Sequence, residues 1–348
     1  MDTLDAFLRN CAIPEAKHRH KTAITWSSYS TAQRCRRAYW YAYCEGLEPI
    51  GERDTEALQI GDAVHRLCGG EITLEHLDPE IGRIVSPMVA AWLVRWGEVA
   101  VTPDREIEAW RHTTLLVEDG ADTTEVTVGA HCDEIRTDED GEVYVLERKT
   151  TKHISRSYLD RLALDQQIAI QAYLAGTQRV VYDVIRRAPI ERKRGETDEE
   201  FAARRAEAKR KNKSGTTNIT RRVPETDHEY EQRLVEWYRD NLSEALIRCE
   251  ITIGEERQLS TITQVVGLAH ALAKAQRLVL ASDPSDRAAD LDVEFGQSTQ
   301  RCFDWGRRCD YWDLCVSGDA PAIRHELYQI RTKREGDPPT NAEIEGGQ

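Results

Sequence analysis

The chain has 348 residues, which at roughly 150 residues per domain allows two units or one domain carrying insertions. Its net charge of −14 excludes a protein that coats nucleic acid by bulk charge, while a local basic groove stays open to it. The longest apolar run, Met88–Val94, falls well short of the roughly 20 residues that span a bilayer, and the opening MDTLDAFLRN lacks a basic-then-apolar leader. A soluble, cytoplasmic protein is expected.

Residues 1–24 are polar and predicted to be flexible. From Ser27 or Ser28, either of which can cap, a helix is predicted to run to about Cys44 and to stop at Gly46. TEALQIGDAVHRLCGG predicts a second helix that places Leu58, Gly61, His65 and Cys68 on one stripe and ends at a glycine pair. Residues 80–98 read as a third. EIEAWRHTTLLVEDG and TEVTVGAHCDEIRT then alternate apolar and polar residues, TDEDGE forms a turn, and VYVLERKTT is the return strand of a hairpin. A period of two puts Val143, Val145, Glu147 and Lys149 on one face. DQQIAIQAYLAGTQ predicts a helix and RVVYDVIRR a further strand.

Residues 186–222 hold 13 Lys/Arg against 6 Asp/Glu and few core formers, so they read as an exposed basic insertion. Thr197 with Glu200, and Thr226 with Glu229, have capping-box spacing and each predicts a helix start. Residues 230–280 look helical, and the tail from Arg331 looks disordered.

Two features carry chemistry. Asp133, a hairpin and Glu147-x-Lys149 place two carboxylates and a lysine on adjacent strands. Such a pair suits a hard divalent cation, and the lysine can orient or deprotonate water or neutralise a phosphate. E-x-K on a strand is common, so the order of Gly61-x-x-x-His65 before it and Gln167 after it counts for more than any one residue. The second feature is cysteine placement. Of nine cysteines, Cys302, Cys309 and Cys315 crowd into RCFDWGRRCDYWDLC. Thiolates there suit an iron–sulfur cluster or zinc, and the spacing lacks the tight C-x2-C knuckles of most zinc sites. Cys11, Cys44, Cys68, Cys132 and Cys249 are expected in the core.

On the ordered set SSYSTAQRCRRAYWYAYCEGLEP, GDAVH, VGAHCDEI, VLERKTT, QIAIQAYL and CFDWGRRCDYWDLC, the chain resembles the PD-(D/E)XK nuclease superfamily. The likeness is to its RecB-like branch with an iron–sulfur cluster, which includes the AddB nuclease domain and CRISPR-associated single-strand exonucleases. It covers about residues 25–182 and 295–316. The resemblance implies an α/β restriction-endonuclease-like fold, a mixed sheet flanked by helices, with a helical N-terminal segment and an iron–sulfur C-terminal lobe. The implied division is a nuclease core at 25–185, the insertion at 186–224, a helical region at 225–294, a cluster lobe at 295–330 and a tail at 331–348.

By the same resemblance His65, Asp133 and Glu147 hold Mg²⁺ or Mn²⁺ together with the backbone carbonyl of Arg148. Lys149 is the catalytic lysine, and Gln167 contacts DNA and steadies the site. Cys35, Cys302, Cys309 and Cys315 hold a 4Fe–4S cluster, with zinc as the second choice of occupant. The family pattern has tyrosine four residues after the glutamine; this chain has Gln171 there and Tyr173 two later. Candidate DNA contacts are Arg34, Arg36, Arg37, Lys152, Arg156, Arg161 and Tyr173, with Trp40, Tyr41 and Tyr158 available to stack on bases or to fill core. The implied activity is metal-dependent DNA cleavage, as a single-strand exonuclease in recombination, repair or phage or CRISPR DNA processing, in a bacterial, archaeal or phage-infected cell. Without a G-x-x-x-x-G-K loop, unwinding would need a helicase or recombination partner. The rival reading is a non-catalytic or partner-dependent iron–sulfur DNA-binding subunit.

Overall fold

A computed structural model describes residues 18–51, 55–97, 104–120, 122–211, 218–304 and 307–332. The expectations for residues 1–17, for Cys11 and for the tail beyond residue 332 lie outside the described residues. None of the described helices is long and apolar enough to cross a membrane.

The architecture is mixed α/β. Strand β1 (His18–Thr25) leads into helix α1 (Trp26–Arg34). The cap is Thr25 rather than either serine, and Ser28 completes a capping box with it. The predicted single helix to Cys44 is broken by an extended residue, Cys35 (φ −160°, ψ 114°), and resumes as α2 (Arg36–Tyr39) and a π-helical turn, Trp40–Cys44. After β2 (Leu47–Pro49) come α3 (Glu56–Gly69), capped by Thr55 and closed by left-handed Gly70, and α4 (Pro79–Trp96), capped by Asp78.

The long strands β3 (Arg105–Asp119) and β4 (Asp122–Thr137) and the return strand β5 (Val143–Thr151) form the predicted meander. Helices α5 (Arg156–Leu162) and α6 (Gln166–Ala175) then cross to β6 (Arg179–Arg186), parallel to β5. The insertion holds α7 (Asp198–Lys211) and is followed by α8 (Asp227–Asp240), α9 (Leu242–Ala245) and β7 (Leu246–Thr252). Both predicted capping boxes are present, at Thr197/Glu200 and Thr226/Glu229. A 27-residue helix α10 (Glu255–Ala281), then α11 (Arg287–Glu294), α12 (Trp312–Val316), α13 (Pro321–Leu327) and β8 (Tyr328–Ile330) complete the order.

Two strands depart from expectation. β1 was read as loose polar chain, yet it pairs in parallel with β4 from His18/Asp122 to Thr25/Gly129. β7 lies inside the stretch read as helical and pairs antiparallel with β6.

The sheet runs β3-β4-β5-β6-β7, and β1 shares the free edge of β4 with β5. β1 holds that edge up to Gly129 and β5 takes it from Glu134, so Ala130–Asp133 lie at a fork where neither neighbour pairs with them. One face of the sheet is covered by α3, α4 and α8 around Trp92, Met88 and Tyr238. The other is covered by α6 and α10, with Ile168, Ala169, Ile170 and Ala172 of α6 fully buried. At about 1.5–3 kcal/mol for each large apolar side chain buried, α6 is fixed as the central helix under the fork. A further cluster joins α1, α2 and the π turn to the C-terminal lobe through Trp40, Tyr41, Phe295, Tyr311 and Leu314. Trp40 and Tyr41 are therefore core residues, and Tyr158 is half-buried.

Candidate active site

At the fork the strands part, and side chains take over the hydrogen bonding that a ladder would otherwise supply. The Arg148 amide donates to Asp133 Oδ2 at 2.7 Å. The His131 carbonyl accepts from Gln171 Nε2 of α6 at 2.7 Å. His65, on the sheet-facing side of α3, sets Nδ1 3.0 Å from the same Asp133 oxygen.

β5 alternates as predicted from Glu147 to Lys149. Lys149 Nζ donates to Glu147 Oε1 at 2.6 Å and to Gln167 Oε1 at 3.2 Å. Gln167 Nε2 returns a bond to Glu147 Oε1 at 3.2 Å, and Gln171 Nε2 approaches Glu147 Oε2 at 3.3 Å. Asp165 caps α6 by accepting from the Gln167 amide, which fixes where that helix begins. His65, Asp133, Glu147, Lys149 and Gln167, spread over more than a hundred residues of sequence, thus meet at one point. The Glu147 side chain is 3 % exposed, while His65, Asp133 and Lys149 are at 24, 14 and 26 %, so three of the four groups are open to a small ligand.

The electrostatics follow from this packing. Burial pushes the Glu147 carboxyl up, and the Asp133 charge adds to that, outweighing Lys149 and His65. Burial acts the same way on Asp133, but the bonds from His65 and the Arg148 amide win and hold it below the ordinary carboxylate range. His65 is raised, because its Asp133 partner outweighs desolvation. Lys149 is raised too, since Glu147 overcomes the cost of burying the ammonium.

Sequence reasoning missed three features. Gln171, four residues after Gln167 on the same face of α6, occupies the position where the family pattern has tyrosine and is fully buried against Glu147. Glu108 of β3 brings a carboxylate to the site, so that one ligand atom each of His65, Glu108 and Asp133 lie within 4.8 Å of one another. Behind the site Glu134 is wholly buried and accepts from Arg105 Nε (2.7 Å) and Arg136 Nε (2.6 Å), with Arg148 also against it. Arg148 points away from Glu147 and lies over Trp92, whose Nε1 donates to Asp183. Strict alternation of β4 also fails here: Cys132 and Ile135, three apart, enter the same core cluster.

The donor set of one imidazole and clustered carboxylates fits a hard or borderline divalent cation. The four expected cluster cysteines are likewise brought together: Cys302, Cys309 and Cys315 each feel the charge of Cys35. The Ser298 amide faces Cys35 Sγ at 3.5 Å, and the Cys309 amide donates to the Cys302 carbonyl at 2.8 Å. Burial and the neighbouring sulfurs push the Cys315 thiol up to about 12. Burial and the neighbouring sulfurs raise the Cys302, Cys309 and Cys315 thiols, and thiols so placed are a site that a multiply charged metal centre would stabilise as thiolates. Of the rest, Cys68 and Cys132 are buried as expected, whereas Cys44 and Cys249 are half-buried.

Arg37 does not belong among the candidate DNA contacts. It is buried, donates to the Phe295 carbonyl at 2.9 Å and pairs with Asp292, so it pins α2 to the lobe. Arg34, Arg36, Lys152, Arg156 and Arg161 are exposed, Arg156 pairing with Asp160 at 2.9 Å. Tyr173 is half-buried against the α10 core. In the insertion Arg192, Arg194, Arg204 and Arg221 are paired with acids, so its net charge overstates its free cations. A groove of about 370 Å³ opens beside the cysteines, lined by Arg34, Arg307, Arg308, Cys35, Cys309 and Tyr43 among others.

No protein-family model matches this sequence, and no curated protein does. Among solved structures, SSO0001 aligns over 81% of this chain and 84% of its own, at 11% identity and a TM-score of 0.30. Scheffersomyces stipitis Rai1, in complex with (3'-NADP)⁺ and calcium ion, aligns over 68% and 69%, at 15% identity and a TM-score of 0.19. Likenesses this distant leave the functional reading to the site itself.

Proposed function

We propose that this chain is a metal-dependent DNA nuclease of the PD-(D/E)XK kind, acting on single strands or free ends. The observation that carries the reading is the convergence of His65, Asp133, Glu147, Lys149 and Gln167 at a sheet fork. His65, Asp133 and Glu147, with the Arg148 carbonyl, would hold Mg²⁺ or Mn²⁺. Such an ion supplies Lewis acidity toward a phosphoryl oxygen and lowers the pKa of bound water. Lys149, kept as an ammonium by Glu147, is suited to neutralise charge developing on the phosphate rather than to act as base. Gln167 and Gln171 hold Glu147 in place. The exposed arginines of the groove beside the cysteines are where we place the DNA backbone.

In this reading Cys35, Cys302, Cys309 and Cys315 hold a 4Fe–4S cluster that ties the N-terminal helices to the C-terminal lobe. Anaerobically purified protein is then expected to show broad visible absorbance. A colourless preparation with stoichiometric zinc would assign the thiols to zinc instead. The activity is tested by degradation of end-labelled DNA with Mg²⁺ or Mn²⁺, where loss in Lys149→Ala supports catalysis. Equal cleavage by that variant removes Lys149 from the chemistry.

A further inference from the structure

Glu108 belongs to none of the sequence motifs, yet the β3–β4 ladder places it directly across from Asp133. Ile107 pairs with Glu134 and Ala109 with Cys132. The intervening step, Glu108 opposite Asp133, is the one pair missing between Arg105/Arg136 and Asp119/Asp122. Glu108 also has φ +46° in mid-strand. A left-handed conformation is unfavourable for a residue with a Cβ, and a ladder pair is lost besides. What the distortion accompanies is visible: the Glu108 carboxylate sits with His65 and Asp133, one ligand atom of each within 4.8 Å of the others.

Among the described residues, the arginines behind this group are turned to another acid. Arg105, Arg136 and Arg148 are gathered on Glu134. Partial desolvation together with the Asp133 and Glu71 charges pushes the Glu108 carboxyl up to about 7, as a carboxylate does when its neighbours are acids. The geometry, however, stands without that shift: a nitrogen and two carboxylates from three separate elements, α3, β3 and β4, converge within reach of a single ion.

We infer that Glu108 is a protein ligand of the divalent cation at His65 and Asp133, supplied by β3 and independent of the Glu147-x-Lys149 strand. The inference rests on a cation being bound at this site and not on DNA cleavage. One imidazole among oxygen donors favours Mn²⁺ over Mg²⁺.

The test is Mn²⁺ binding to the full-length protein without DNA, followed by the electron paramagnetic resonance signal of free Mn²⁺. Glu108→Gln keeps the size of the side chain and removes the charge. Glu108→Gly removes the ligand and relieves the backbone, because glycine adopts positive φ freely. Both are expected to bind Mn²⁺ about tenfold or more weakly than the parent, the scale on which metal-site changes act. Glu108→Gly is expected to melt no lower than the parent, which separates ligand loss from misfolding. Parental Mn²⁺ affinity in folded Glu108→Gln overturns the assignment, as does a parent chain that binds no Mn²⁺. Glu108-dependent binding in a protein that cuts no DNA upholds the assignment and removes the nuclease reading alone.

Discussion

Gln171→Leu isolates what the fork demands of α6. The change keeps the volume of a buried side chain while deleting its amide. Nε2 now donates to the His131 carbonyl at 2.7 Å and to Glu147 Oε2 at 3.3 Å. Losing the bond to the His131 carbonyl costs about 1.5 kcal/mol, and losing the bond to the Glu147 carboxylate adds about 1.5. Against this, Gln171 Oε1 has no hydrogen-bond partner among the described residues, so removing it returns up to about 1 kcal/mol. The net loss is about 2 kcal/mol. With an unfolding entropy of about 2.1 cal/mol/K per residue, a chain of this length would drop in Tm by roughly 3 °C. Differential scanning calorimetry in EDTA measures it. An unchanged Tm would mean that the His131 carbonyl is satisfied by solvent and that the fork is wetter than argued.

Other outcomes follow from the same geometry. A Cβ built on Gly129 lies 2.3 Å from the Trp110 ring, so Gly129→Ala must displace that ring and should cost about 1–3 kcal/mol by urea denaturation. An unaltered midpoint would show Trp110 to be mobile. The His65–Asp133 pair gives metal-free protein a pH signature. Asp133 is lowered, so its share is lost as pH falls through its folded pKa; His65 is raised, so its share is lost as pH rises through its own. His65→Ala should therefore cost more stability at weakly acidic pH than at pH well above the histidine range. A penalty that grows with pH would contradict the ion pair.

Much of the site was legible because its residues sit in locally regular elements. The GDAVH helix has a threonine cap and a glycine stop, and the hairpin strands alternate, so His65, Glu147 and Lys149 could be placed on faces from spacing alone. Gln171 was within reach of the same rule, being one helical turn beyond Gln167, but the expectation of tyrosine hid it. β7 also carried a signal: Ile247, Cys249 and Ile251 pack inward while Arg248 and Glu250 are exposed, an alternation masked by helices on both sides. β1 did not. Its polar residues become a strand only because β4, far along the chain, offers an edge. Glu108 was illegible in principle, since nothing in its neighbours announces positive φ for a glutamate. Arg34, Arg36 and Arg37 looked alike in sequence, and only tertiary packing sends Arg37 inward.

The central claim is tested most directly by incubating end-labelled single- and double-stranded DNA with the protein and Mn²⁺ or Mg²⁺, beside Glu147→Ala. The account predicts metal-dependent cleavage by the parent chain and none by the variant, with the surviving label giving polarity. Cleavage that persists in Glu147→Ala, or none by cluster-replete parent protein on any DNA, would contradict it.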